Sequence, residues 1–399
     1  LRGVKGKRVM EVDAKGQLVR VLEETDPLPG REVRLTIDKD LQAVARHSLG
    51  DRTGAVVAMI PETGEILVME STPGFDPNIF AGTLSEGQWR DIMENPLHPL
   101  QNRAIRGAYP PGSIYKVVVS LAAFASGILD PGARVYCPGS FSLGRVAFRC
   151  WRSEGHGSVD LVRAITESCD VYFYTLGRAL GVDEMAKEAD LLGLGRMTGI
   201  LPDESPGLIP TRSWKRVRLG QPWHPGESVI HAIGQGFTAV TPVQVAKAMS
   251  AVVNGGRVFV PRILGEGSPI LERDLGLPKR WVDAIKLGLR GVVEDPRGTA
   301  HSLWDPEVSM GGKTGTAQVA RGYSSKLPDE SDIPYRYRDH AWFFGFAPVE
   351  RPEIVVVAFV EHGGHGGAVA GPIVRDVIKG YYLLRGTGHE QVRTADGKP

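Results

Sequence analysis

The sequence predicts an α+β fold: one mostly antiparallel sheet flanked by helices, with an inserted helical lobe. Strand-like text occurs near both ends of the chain, helical periodicity dominates the middle, and Gly- and Pro-rich turns punctuate both. Strands from distant parts of the chain must then meet in one sheet, with the intervening helices on its faces. With 399 residues, 42% of them hydrophobic, the chain has material for an ordinary core and two or three domains.

Residues 8–12 and 17–23 are short β-like runs joined by a turn at Ala14-Lys15-Gly16, and Asp26-Pro-Leu-Pro-Gly30 is linker text. Residues 1–33 therefore read as the end of an upstream domain with its linker. Leu41, Val44, Ala45 and Leu49 recur at helical spacing, and residues 55–60 and 65–70 flank the hairpin turn Pro61-Glu-Thr-Gly64. Residues 117–129 are apolar but interrupted by Ser120, Ser126 and Gly127. That run is shorter than the roughly 18 apolar residues a membrane span needs, so it reads as a buried helix. Helical periodicity continues to about residue 197, interrupted by an irregular stretch over 130–159, and residues 201–228 read as a Pro-rich, basic loop. Strand text returns after Gly312, and residues 342–347 and 354–360 form a second hairpin. A helix over 372–384 closes a domain spanning 34–385, leaving a mobile polar tail, 386–399.

Lys+Arg 47 against Asp+Glu 46 leaves a net charge of +1, which gives no bulk attraction to nucleic acid. The first thirty residues are mixed and charged, unlike a signal peptide, and the chain lacks an initiator Met. It reads as the C-terminal part of something longer.

Three short motifs carry the chemistry. In Pro110-Pro-Gly-Ser-Ile-Tyr-Lys116, Pro and Gly place Ser113 at the start of the apolar helix, and Lys116, three residues on, lies about 60° around the same face. A serine hydroxyl is a weak nucleophile until a base takes its proton, and a desolvated lysine can be that base. The bland alternative is a capping serine beside a solvated lysine. Lys313-Thr-Gly-Thr316 follows Gly311-Gly312; a phosphate loop fails there because Glu307 stands where its first Gly is required. What remains is an edge strand for a peptide, in which Gly315 allows close backbone approach and Thr314 and Thr316 offer hydroxyls to a carboxylate. Ser168-Cys-Asp170, between two helical stretches, would alone be a cap or turn.

Ser-x-x-Lys, then Ser-x-Asp 55 residues later, then Lys-Thr-Gly after a further 145, together resemble the active-site motifs of the penicillin-recognising serine acyltransferases. Leu35-Thr-Ile-Asp38, Gly74-Phe-Asp-Pro-Asn78, Asn102-Arg-Ala104, Gly234-Gln-Gly236 and Thr241-Pro-Val-Gln244 extend the likeness over residues 30–385. They resemble the class B penicillin-binding proteins, above all the elongation-type penicillin-binding protein 2 group, which shares Asp170 where most relatives carry Asn. An ionised carboxylate only accepts hydrogen bonds, whereas an amide also donates, so Asp170 must do a different job.

The resemblance implies a peptidoglycan D,D-transpeptidase that needs no cofactor for its chemistry. Ser113 would attack the penultimate D-Ala of a stem pentapeptide, with Lys116 as base. Ser168 and Lys313 would relay a proton to the departing amine, while Lys313, Thr314 and Thr316 hold the terminal carboxylate. The N–H groups of Ser113 and Thr316 would form the oxyanion hole. Partners so implied are peptidoglycan stem peptides, β-lactams, a SEDS-type glycosyltransferase and elongation-complex proteins; nucleic acid is not among them. The implied place is the cell envelope, outside the cytoplasmic membrane, with residues 1–33 ending a pedestal or dimerisation domain whose membrane anchor lies upstream. A serine β-lactamase and a β-lactam-binding sensor are the rivals; the first needs a base for a deacylating water, and the second is fused to signalling helices rather than a pedestal.

All three Cys lie in the irregular stretch and its continuation: Cys137, Cys150 and Cys169, with His156 between. Three thiolates and an imidazole suit a closed tetrahedral zinc site; the alternative is a Cys137–Cys150 disulfide with Cys169 a buried thiol. Cys169 sits inside the second motif, which favours a metal that would lock the loop carrying Ser168 and Asp170. Glu361, His362 and His365 lie in a Gly-rich turn and make a poor cage, so a loop is expected there. Lys215, Arg216 and Arg218 read as a solvated face.

Overall fold

The computed structural model describes residues 3–82, 84–130, 132–319 and 333–395. Strands β1 (Lys7–Val12) and β2 (Leu18–Thr25) pair as the expected hairpin, and their apolar side chains, among them Val12, Leu18, Val19 and Leu22, stand exposed. Helix α1 (Lys39–Leu49) starts at Asp38, whose carboxylate accepts the N–H groups of Asp40 and Leu41, and it buries Leu41, Ala45 and Leu49. Strands β3 (Gly54–Met59) and β4 (Ile66–Thr72) form the second hairpin. After the exposed helix α2 (Glu86–Met93) comes α3 (Lys116–Ala125), which is buried from Lys116 to Phe124.

The irregular stretch resolves into two small antiparallel ladders. In one, β5 (Val135–Cys137) pairs with β8 (Gly157–Val159); in the other, β6 (Ser140–Leu143) pairs with β7 (Val146–Arg149). Helices α4 (Leu161–Thr166) and α5 (Asp170–Leu191) follow, the second kinked at Gly181. The stretch expected to be a loop contains α6 (Arg212–Leu219) and the start of α7 (Pro225–His231). The Thr211 hydroxyl accepts the Trp214 N–H and Gly220 ends α6 in the left-handed region, a cap and a stop that the basic composition obscured.

Next come α8 (Pro242–Val253), strands β9 (Arg257–Phe259) and β10 (Leu271–Asp274), and α9 (Lys279–Glu294). The last strands are β11 (Gly311–Ala317), β12 (His340–Ala347) and β13 (Ile354–Val360). Helix α10 (Gly366–Ala395) begins before Pro372 and runs past Leu384, so most of the expected tail is helical. A polar helix end needs no apolar face, and the absence of periodicity there did not exclude one. Residues 396–399 of the tail reading lie outside the described residues.

The central sheet is antiparallel in the order β11-β12-β13-β3-β4, so both hairpins meet where Val57 lies opposite Val357. Helix α10 packs on β12 and β13, and α8 on β13 and β3. Every residue of β3 and β13 is buried, which is why both strands read as unbroken apolar runs. Strand β11 is left at an edge of this sheet, facing the helical lobe.

Candidate active site

Ser113 sits in a single 3-10 turn, Gly112–Tyr115, that runs directly into α3 at Lys116. Gly112 has φ 55, and a Cβ there would fall 2.5 Å from the Thr316 carbonyl oxygen. On the other side, a Cβ on Gly315 would fall 2.7 Å from the Pro111 carbonyl oxygen. The two motifs therefore approach backbone to backbone, and both glycines are needed for it. The Gly112 N–H donates to Gly234 O at 3.1 Å. Buried Tyr115 holds the same turn: its hydroxyl lies 3.0 Å from His231 Nε2, and His231 Nδ1 lies 2.6 Å from Thr238 Oγ1. Burial keeps His231 neutral, its pKa pushed down to about 3.

Lys116 is fully buried, and its amine meets three acceptors: Asp170 Oδ1 at 2.7 Å, Ser168 O at 2.8 Å and Ser168 Oγ at 3.1 Å. Asp170 opens α5, where a carboxylate suits the helix dipole, and its Oδ2 accepts the Trp151 N–H at 2.9 Å. Both of its oxygens thus accept, the role an amide could not fill on both sides. Ser168 has φ 53, a left-handed conformation that costs a non-glycine residue about 1–3 kcal/mol.

Lys313 is also fully buried, on β11 opposite Phe344. Its amine approaches Thr314 O and Thr314 Oγ1, each at 3.4 Å, and Thr314 Oγ1 lies 2.9 Å from Thr299 Oγ1. Burial first, then the nearby charge of Lys116, push the Lys313 pKa well below the ordinary lysine range, against the opposing pull of Asp170.

Cys137, Cys150, His156 and Cys169 converge, all buried, with their ligand atoms within 4.8 Å of one another. His156 Nδ1 lies 3.6 Å from Cys137 Sγ and 3.5 Å from Cys150 Sγ, while its buried Nε2 has no partner among the described residues. All three cysteines are free thiols. A hydrogen bond from Cys169 pulls the Cys150 thiol pKa down, against the opposing effect of burial. Donors about 2.3 Å from a tetrahedral zinc stand about 3.8 Å apart, a spacing that the two contacts of His156 Nδ1 come close to.

The penicillin binding protein transpeptidase domain profile matches residues 54–379. The chain belongs to that family. It is 35% identical to peptidoglycan D,D-transpeptidase MrdA of Haemophilus influenzae over 96% of its own length and 61% of that protein's. Among solved structures, Pseudomonas aeruginosa PBP2 in complex with WCK 5153 superposes with a TM-score of 0.81 at 36% identity, covering 90% of this chain and 77% of that one. Helicobacter pylori PBP2 in complex with MreC gives 0.83 at 33%, covering 95% and 69%. The chain spans about three fifths of the length of the curated relatives it matches. The α+β fold expected from the sequence is that of this family.

Around the family's three motifs the structure adds residues that motif reading passed over. Thr299 holds Thr314, the Trp151 N–H holds Asp170, and Gln235 donates from Nε2 to Thr316 O at 2.8 Å while its Oε1 accepts the Gln318 N–H at 3.3 Å. Gln235 alone had a signal, as the centre of Gly234-Gln-Gly236. Glu361 instead accepts Arg103 Nε at 2.9 Å and the Tyr109 hydroxyl, and His362 Nδ1 faces Arg338 O at 3.1 Å. Glu361, His362 and His365 do not converge as a metal cluster; among the described residues the Cys–His group alone does.

Proposed function

We propose that the chain is the transpeptidase part of a peptidoglycan D,D-transpeptidase of the penicillin-binding protein 2 type, working in cell-wall elongation. The observation that carries this reading is the cleft in which Lys116, bonded to Ser168 and Asp170, lies beside the Ser113 turn, with the open edge of β11 alongside. Ser113 Oγ attacks the carbonyl carbon of the penultimate D-Ala. The bond to the terminal D-Ala nitrogen breaks, and the serine proton leaves on that amine. The amine of a second stem peptide then attacks the ester, forms the cross-link and returns a proton to Ser113. Lys116 donates to three acceptors in this arrangement, so it must pass a proton into the Ser168–Asp170 network before it takes one from Ser113. Lys313, with its depressed pKa, Thr314 and Thr316 receive the terminal carboxylate, and Gly315 lets the strand approach.

Residues 1–33 belong, in this reading, to the pedestal of a protein anchored in the cytoplasmic membrane and acting in the envelope with a SEDS-type glycosyltransferase. Among the described residues no helix is long and apolar enough to cross a membrane. The test is intact mass after incubation with labelled penicillin. One adduct per chain is expected, and an adduct that persists in Ser113→Ala would dismiss Ser113 as the nucleophile.

We also infer that Cys137, Cys150, His156 and Cys169 hold one structural Zn²⁺, supported by their convergence, burial and donor chemistry. The ion would brace the loop carrying Ser168 and Asp170 and take no part in acyl transfer. About one zinc and three free thiols per chain are expected after purification without chelator. A metal-free protein with a Cys137–Cys150 disulfide would overturn this.

A further inference from the structure

The approach to the nucleophile, residues 109–115, is tied at three points to residues 231–240, which run the opposite way. Tyr109 and Val240 exchange both backbone bonds, at 3.0 Å and 2.9 Å. The Gly112 N–H donates to Gly234 O, and a Cβ on Gly234 would fall 2.2 Å from Gly112 O and 2.8 Å from Tyr115 Cβ, so the two segments touch there. The third tie is made by buried side chains: the Tyr115 hydroxyl meets His231 Nε2, and His231 Nδ1 meets Thr238 Oγ1. The hydroxyl carries one proton. Sent to Met185 O, 3.3 Å away, it leaves the phenol oxygen to accept from Nε2–H while Nδ1 accepts from Thr238; sent to Nε2, it leaves Nδ1–H to donate to Thr238. Both ring nitrogens are satisfied in either arrangement, with the ring neutral.

We propose, resting on the transpeptidase reading, that Tyr115 and His231 are positioning residues for the nucleophile turn. The first two ties use backbone groups that almost any residue possesses, and both lie before Ser113. A turn held at Tyr109 and Gly112 alone can still pivot about them. Tyr115 stands between Ser113 and Lys116, so its bond to His231 fixes the stretch of backbone that carries both the attacking hydroxyl and the amine. Two apolar side chains of the same shape would pack there with nearly equal stability, so what the hydroxyl–imidazole pair adds is direction. Direction matters at this place because a displacement of about 1 Å at the reacting atoms is enough to cost about a hundredfold in rate.

Tyr115→Phe keeps the ring and removes the hydroxyl; His231→Leu removes both ring nitrogens, and His231→Gln puts an amide where Nε2 stood. Acylation by a chromogenic cephalosporin is followed by stopped flow at a temperature where each variant is folded, with the burst counting competent chains, so the acylation rate constant and the preceding dissociation constant are read separately. Tyr115→Phe and His231→Leu should each lower the rate constant by about tenfold and leave the dissociation constant unchanged. Combined, they should fall no further than either alone, because both remove the same tie. His231→Gln should acylate close to the parent rate. Parental acylation by Tyr115→Phe, equal slowing in His231→Gln and His231→Leu, or a change confined to the dissociation constant would overturn the positioning role; if Tyr115→Phe does not fold, the two His231 variants decide. If the parent chain takes no penicillin adduct at Ser113, it is the transpeptidase reading that fails, and intact mass reports this separately.

Discussion

Lys116 and Lys313 are the same residue type, both fully buried, on opposite walls of one cleft. Lys116 has a carboxylate at 2.7 Å, whereas among the described residues Lys313 makes no ion pair and has the oxygens of Thr314 at 3.4 Å. Both amines are buried, but Asp170 bonds directly to Lys116 and only acts through space on Lys313, whose pKa burial and then the charge of Lys116 push down. The cleft thereby holds an ion-paired amine on α3 and, among the described residues, an unpaired amine biased toward neutrality on β11.

The sharpest way to break this comparison is to remove Lys116. Lys116→Met should slow penicillin acylation by about a thousandfold. It should also lower stability by roughly 3–5 kcal/mol, because Asp170 is left buried without its cation. Adding Asp170→Asn to that variant should restore much of the stability and none of the acylation, as read by denaturant midpoints and adduct formation over time. Full acylation by Lys116→Met would show that another group activates Ser113.

Asp170→Asn alone comes next. The amide turns one donor toward Lys116 or toward the Trp151 N–H, both of which need acceptors, so acylation should slow by about ten- to a hundredfold with a loss of about 3 kcal/mol. Unchanged kinetics would mean that the carboxylate is dispensable to the pairing.

Lys313 is tested by pH. The unfolded chain holds a proton on this amine up to about pH 10.4, while the folded chain releases it well below that. Between those values unfolding takes up a proton, so this group's contribution makes stability rise with pH across the window. Lys313→Met should flatten that rise in melting temperature between neutral pH and about pH 10. An identical pH profile would show that Lys313 is not depressed.

The smallest effect belongs to Thr299→Val, which removes the nearer of the two contacts of Thr314 Oγ1 and leaves that of Lys313. It should cost about 1 kcal/mol and slow acylation a few-fold, measured with the same adduct assay.

The sheet and the motifs were legible because their signals are local. Both hairpins announce themselves by apolar runs around a tight turn, and Ser113 and Lys116 by a Pro-Gly entry into an apolar helix. Helix α6 was not, since its cap at Thr211 and stop at Gly220 lie in a Pro-rich, basic stretch whose composition argues for a loop. Thr299 and Trp151 escaped for a different reason. Each reaches a motif through one hydrogen bond from a group that many residues or every residue possesses, and such a contact leaves no periodicity in the sequence. The Cys–His group sits between these cases: its donors could be counted in advance, while their convergence required the β5–β8 ladder to bring Cys137 beside Gly157.

The pairing of Val57 with Val357 bears on how the protein is made. A growing chain presents β3 and β4 early, but β3 cannot gain its inner neighbour until β13 has been synthesised. The helical lobe carrying Ser113, Lys116 and Asp170 is complete well before that, while β11 has no sheet to join until β12 and β13 close it. Closing so long a loop is slow, and nascent chains wait with an unpaired apolar strand exposed. On the proposed reading, β11 therefore takes its place beside the helical lobe only after β12 and β13 have been made.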